Sequence, residues 1–328
     1  MRLIAKRLLI GSAHLFLAVT SSVAFAPLKK GSSKGQSKRS KSYPSFRKFV
    51  SSYVIVSSSA LDDGTVAGIT EKESTKKYSV RNTVSRAEGR RIMDDILMPV
   101  KQYGDRIGWG RDAHDLSGLI ASDDPRLGMT YGEFPLSSLD ELLDLGLSYI
   151  RRNNEGGSNV LIDLGSGCGR LVLYSALTRG HEEEERNWWD VHGIEIAHLL
   201  HDEGVNVVTD GIENGWFAES VQPNESPKNV FSLHLGPVEK YKAQLSSADL
   251  IFAYSTAFTA SRFSPDLGAM VLGPEWSRIL GENCPTGCVA ITTDRALDPA
   301  HGWNLVDRID VENQEVFGST GYIHVLKK

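Results

Sequence analysis

Cysteine is scarce, with three in 328 residues: Cys168, Cys284 and Cys288. That is too few, and too unevenly spaced, for a disulfide framework in a chain of this size, and a reducing compartment fits. Cys284 and Cys288 flank Pro-Thr-Gly, but with no second Cys or His pair nearby the spacing is a weak zinc signal, and no metal is expected. Acid is missing from one end. Of 36 Lys and Arg, 11 fall in residues 1–61, where there is no Asp or Glu, and Asp62 is the first acid. The other 25 stand against all 41 acids, so residues 62–328 carry a net charge of −16. That balance repels a phosphate backbone and argues against nucleic-acid binding by the folded part. No internal repeat is visible, which excludes a solenoid. What is present, 41% apolar and 23% charged residues with six Trp and eleven Phe, suffices for a buried core.

The acid-free end reads as an address. Residues 1–24 begin with Arg2, Lys6 and Arg7, continue through an apolar stretch and end in small residues, Ser22 and Ala24, placed for cleavage. That is the layout of a signal peptide; a permanent membrane anchor is the alternative, disfavoured because His14, Thr20 and serines interrupt the run. Residues 25–61 are rich in Ser, Lys and Arg, the composition of a transit peptide. With Phe25 just after the inferred cleavage point, the pair resembles the bipartite presequence of plastid proteins in algae with secondary plastids. The resemblance implies a plastid location and no membrane association after processing. "SKRSKS" admits nuclear import as an alternative, and the signal alone admits the secretory pathway.

Residues 62–136 are expected to be a linker and a helical and loop extension. A helix is predicted over about residues 85–98, stopped by Pro99, and a Gly- and Asp-rich loop region follows. Residues 137–328 are expected to be the main domain. It opens with a helix that Ser138 and Glu141 would cap reciprocally. Then "NVLID", "WDVHGIEI", "VFSLHL", "ADLIFAY", "GCVAITTD", "WNLVDRIDVE" and "GYIHVLKK" read as seven strands, the first four separated by helices. Such alternation predicts an α/β fold: a doubly wound, mostly parallel seven-stranded sheet whose last two strands close an antiparallel edge.

Ligands of such sheets sit beyond the carboxyl ends of the strands, where strand order reverses. "VLIDLGSGCGR", residues 160–170, lies there. Gly165 and Gly167 admit backbone conformations closed to other residues, with Ser166 between them, and Gly169 permits close helix packing. A dinucleotide turn places glycine at its sixth position to seat a pyrophosphate, but Arg170 stands there. Asp163, just before the turn, repels a pyrophosphate and attracts a cationic sulfonium. Glu195, at the end of the second strand, is placed to accept hydrogen bonds from ribose hydroxyls.

Asp163, the three glycines and Glu195 together resemble the class I S-adenosylmethionine-dependent methyltransferases, over roughly residues 130–328. The resemblance implies a Rossmann-like fold and S-adenosyl-L-methionine as cofactor. Within that superfamily, "TYGEF" at residues 130–134, then "LIDLGSGCGRLVL", "GIE" and "AYSTAF" are similar in order to the motifs of the non-SET histone lysine methyltransferases, the telomeric-silencing family. Its Tyr-Gly-Glu loop closes over the methionine end of the cofactor, which implies that role for Tyr131, Gly132 and Glu133. Glu133 would bind the cofactor's amino group, and Tyr131 would wall the sulfonium with its ring. The sequence departs from that family at Ser255, where the family has Asn, and near Gly236, where it has an adenine-reading acid.

Tyr254, Ser255, Thr256 and Phe258, at the mouth of the fourth strand, are the expected acceptor side. Tyr254 or Thr256 would orient an amine and Phe258 would shape the pocket. The leading expectation is methylation of a protein lysine or other amine. The alternatives are a small-molecule methyltransferase and an inactive cofactor-binding assembly subunit. The four consecutive Glu at residues 182–185 read as a solvated insertion.

Overall fold

The computed structural model describes residues 76–108, 131–150, 158–181, 188–219 and 229–327. The presequence, most of the Gly- and Asp-rich loop and the run of four Glu lie outside these. All seven expected strands are present: β2 (Asn159–Leu164), β3 (Trp189–Glu195), β5 (Val230–Leu235), β6 (Leu250–Ala253), β9 (Val289–Thr293), β10 (Trp303–Val311) and β11 (Ser319–Leu326). The sheet has nine strands rather than seven, in the order β10-β11-β9-β6-β2-β3-β5-β1-β4. The additions are β1 (Tyr78–Val80) and β4 (Phe217–Ala218), which extend the β5 edge in antiparallel sense. Three and two residues are too short to show a period of two, so the first lay hidden in the apparent linker and the second in the tail of a helix. A separate hairpin pairs β7 (Ala260–Ser264) with β8 (Ala269–Leu272).

Strands β9, β6, β2, β3 and β5 run parallel, and β11 closes antiparallel on β9. Alternate residues feed two cores. Leu161, Val191, Phe252 and Ile291 face one, with helices α1 (Arg86–Arg91), α2 (Leu136–Leu147), α3 (Arg170–Thr178) and α4 (His198–Glu213). Ile162, Ile194, Ile251 and Ala290 face the other, with α5 (Lys242–Leu245) and α6 (Pro274–Asn283). Burial on both faces is why these strands read as continuous apolar runs. The chain leaves β2 for β3 and β5 on one side, then crosses back to β6 and β9 on the other. The reversal therefore falls between β2 and β6, and the fold is a doubly wound, Rossmann-like α/β sheet.

Two helix expectations were refined. The helix starting at Ser85, whose hydroxyl accepts from the Glu88 N–H at 3.3 Å, becomes π-helical over Ile92–Leu97 and stops before Pro99. The capping box at Ser138 does not form. Helix α2 starts earlier, after Pro135, and Ser138 inside its first turn is buried, donating to the Glu312 carbonyl at 2.6 Å. Proline at the boundary supplied the start signal that the Ser and Glu spacing mimicked.

Candidate active site

The turn after β2 is built from backbone. Gly165, Gly167 and Gly169 have φ of 73°, 54° and 78°, in the left-handed region. The Gly165 and Ser166 N–H groups both donate to the Ile194 carbonyl, at 2.9 and 3.1 Å, tying the turn to β3. A Cβ on Gly167 would lie 2.6 Å from the Tyr131 ring, and one on Gly165 3.2 Å from the Phe258 ring. The two rings therefore bracket the turn, one from each side of the sheet's switch point.

Two carboxyls stand behind it. Glu195 is fixed by main chain: Oε2 accepts from the Gly167 N–H at 2.7 Å and Oε1 from the Ala197 N–H at 2.6 Å. Each oxygen keeps a lone pair for a further donor, as two ribose hydroxyls would require. Burial pushes this acid upward despite those bonds. Asp163 is buried, and its Oδ2 has no hydrogen-bond partner among the described residues. Burial, and then the charge of Glu195, push its pKa up to about 8, so at neutral pH it holds a proton. An orphaned acid in a cavity wall suits a cationic or hydrogen-bond-donating ligand.

Glu133 is not the free amino-group ligand expected of it. Its carboxylate accepts from Arg106 Nε and, at 3.0 Å, from Nη2, and Tyr131 Oη donates to it at 2.9 Å. Arg106, 2% exposed, was not singled out in the sequence because it comes from residues 103–108, ahead of the motif region. Arg170 approaches Glu133 as well, with Nε 3.7 Å from Oε2. Its Nη2 donates to Asp94 at 2.8 Å, while Nε and Nη1 are buried with no hydrogen-bond partner among the described residues. The residue that ruled out a pyrophosphate turn thus leaves donors for an anionic group in the cavity.

At the end of β6 the four expected residues divide. Ser255 is a correction: it is fully buried, its N–H donates to Thr293 Oγ1 at 3.0 Å, and its hydroxyl donates to the Thr293 carbonyl at 2.6 Å. The short 3₁₀ turn Ser255–Ala257 aims it into β9, where it ties two strands together. Thr256 lines the cavity and hydrogen-bonds Asp294. Tyr254 lines it too, accepting from Asn313 Nδ2 at 3.0 Å and donating to Glu315 at 3.4 Å, with its pKa raised to about 12 chiefly by burial. An asparagine thus does reach the end of β6, but from the turn between β10 and β11. Phe258 stacks on Trp276 with ring centroids 4.8 Å apart.

Glu315 was missed outright. It accepts from the Tyr103 hydroxyl and from the Glu133 N–H at 3.0 Å, joining three segments far apart in sequence at one carboxylate. Gly236 has no side chain to read an adenine, yet Glu239, three residues on, lines the same cavity. Neither position carries a local sequence signal.

These groups enclose about 820 Å³, within the range of small-molecule sites. S-adenosylmethionine, the cofactor the fold implies, fits this donor set. Glu195 would accept from ribose hydroxyls, the unpartnered Asp163 Oδ2 would take a donor from the amino-acid end, and the Arg170 Nε and Nη1 groups would meet its carboxylate.

No protein-family model matches the chain, and no curated protein does. Solved structures do. One is a tRNA methyltransferase from B. subtilis, at 15% identity over 57% of this chain and 66% of that one, with a TM-score of 0.35. Another is an rRNA methyltransferase from Streptomyces viridochromogenes, at 14% identity over 63% and 90%, TM-score 0.39. A third is a magnesium protoporphyrin IX methyltransferase from Synechocystis with bound SAH, at 10% identity over 68% and 100%, TM-score 0.37. The likeness is one of fold, at low identity, to methyltransferases with different substrates.

Proposed function

We propose that the chain is an S-adenosylmethionine-dependent methyltransferase whose acceptor is an amine, either a protein lysine or a smaller amine. The carrying observation is the charge of the cavity wall. Among the described residues, Glu195, Glu239, Glu275 and Glu315 line it beside Glu133, which Arg106 neutralises, and the protonated Asp163, and Arg170 is the one cation in the lining. Such a wall attracts a protonated amine and repels a phosphodiester. The Tyr131-Gly132-Glu133 loop lying against the turn supports kinship with the non-SET lysine methyltransferases, from which the chain departs at Ser255.

When bound, the cofactor supplies an electrophilic methyl group on its sulfonium. The chain's part is alignment, exclusion of water and proton handling. Phe258, Trp276 and the Tyr131 ring supply apolar walls, and Thr256 and Tyr254 supply hydroxyls near the acceptor. Glu315 is a carboxylate already shaped by two tyrosine hydroxyls, and it holds the ammonium and takes its proton as the nitrogen becomes nucleophilic.

The test is transfer of label from the cofactor to a lysine-containing peptide, n-butylamine and an oligoribonucleotide. Label in either amine supports the reading, and label in the oligoribonucleotide alone overturns it. The presequence directs the chain to a plastid in this proposal, and a fluorescent fusion of residues 1–61 that stays in the cytosol would refute that part.

A further inference from the structure

Strand β10 ends at Val311 and β11 begins at Ser319, and Gly321 pairs with Thr293 at the end of β9. The connecting turn therefore overhangs the carboxyl ends of the parallel strands, the edge on which the cavity opens. It is well tied down. The Asn313 side chain donates to Ser319 Oγ at 2.9 Å and accepts from the Glu315 N–H at 3.1 Å, and its carbonyl accepts from the Gly318 N–H at 2.8 Å. Glu315 and Val316 line the cavity.

The next residue, Phe317, breaks two rules at once. It is fully exposed, at 102% of its reference area, and its backbone has φ of +61°. Only one other described non-glycine residue has positive φ, Asp294, and its carboxylate accepts from the Thr320 N–H at 2.9 Å and Ser319 Oγ at 3.0 Å. Asp is a residue type that tolerates this region through its own side-chain bonds, and phenylalanine has no such recourse. Backbone strain of this kind persists where the surroundings impose it, and it concentrates at binding elements. Here a rigid turn presents a bare aromatic ring outside the cavity, beside its two wall residues.

We infer that Phe317 is a specificity residue that packs against the part of the acceptor lying outside the cavity, so the methylated amine is borne on a peptide. A small amine would be engulfed by the cavity and gain nothing from a ring beyond its wall. A lysine side chain entering the acidic cavity leaves its peptide across the rim, where the ring would cover it. This rests on the amine-methyltransferase reading above.

The test uses the full chain with S-adenosylhomocysteine bound, titrated calorimetrically with n-butylamine and with an acetylated tripeptide whose central residue is lysine. In Phe317→Gly the peptide is expected to bind about tenfold more weakly, with n-butylamine and S-adenosylhomocysteine unchanged. Thermal unfolding of the variant should occur at or above the wild-type midpoint, because glycine relieves the strain. A merely structural Phe317 would instead lower the midpoint and leave peptide affinity alone. Equal peptide affinity in both proteins overturns the inference while leaving the methyltransferase reading intact. Failure of the wild type to bind either amine overturns it together with the amine reading. Binding of a single-stranded oligoribonucleotide that Phe317→Gly weakens would reassign the turn to RNA and overturn it as well. No S-adenosylhomocysteine binding by the wild type would sink the cofactor reading itself.

Discussion

The two halves of the cavity are built differently. The β2–β3 half is main chain: a turn of left-handed glycines, two N–H groups anchored on the Ile194 carbonyl, and Glu195 held by the backbone of Gly167 and Ala197. The β6 half is side chain: Tyr254, Thr256, Phe258 and, from the far turn, Asn313 and Glu315. A backbone-built half suits a ligand common to many proteins of this fold, because its geometry hardly depends on neighbouring side chains. A side-chain half can be re-specified by single substitutions, as the arrival of Asn313 rather than a residue at position 255 illustrates.

The sharpest way to break this comparison is to strain the first half alone. Gly167→Val puts a β-branched residue at φ of 54°, with its Cβ 2.6 Å from the Tyr131 ring. Calorimetric affinity for S-adenosylhomocysteine should fall by about a hundredfold or more. Tyr254→Phe, in the other half, should leave that affinity unchanged. If both variants lose it equally, the division into halves is wrong.

A smaller effect sharpens the cofactor half. Arg170→Gln removes the guanidinium whose Nε and Nη1 lack partners. S-adenosylhomocysteine should bind roughly tenfold more weakly, as loss of a charge-assisted hydrogen bond implies. Methylthioadenosine, which lacks the amino-acid carboxylate, should bind as before. Equal weakening of both ligands would remove Arg170 from carboxylate recognition.

The smallest effect is on stability. Asp163 titrates at about 8 in the folded chain and near ~3.9 when unfolded. Between these values the native state holds the extra proton, so this group's contribution to stability falls as pH rises from about 4 to about 8 and is level above. Asp163→Asn, which cannot ionise, should abolish that slope. By denaturant titration it should be more stable than the wild type at pH 8.5, with no such advantage at pH 4. A wild-type slope of the opposite sign, attributable to Asp163, would mean that its carboxylate has a partner in the ligand-free chain.

Much of the first half was legible in the sequence because it is local. Asp163, three glycines and Arg170 lie within eight residues, and their spacing alone places a left-handed glycine turn after the first parallel strand. Glu195 follows from the strand pattern. The second half was only partly legible. Thr256 and Ser255 are adjacent hydroxyls, and which one faces the cavity depends on how a three-residue turn meets Thr293.

The sequence by itself determined the strand and helix pattern, the location of the ligand turn and the acids around it, since each depends on periodicity and backbone constraint within a few residues. Only the tertiary structure decided that Arg106 claims Glu133, that Ser255 serves the core, and that a turn about 180 residues beyond Glu133 hangs Glu315 over the cavity. The first joins residues 103–108 to the loop before α2, the second joins the end of β6 to β9, and the third follows when β11 closes on β9. Such contacts between distant segments leave no mark in the local pattern of either.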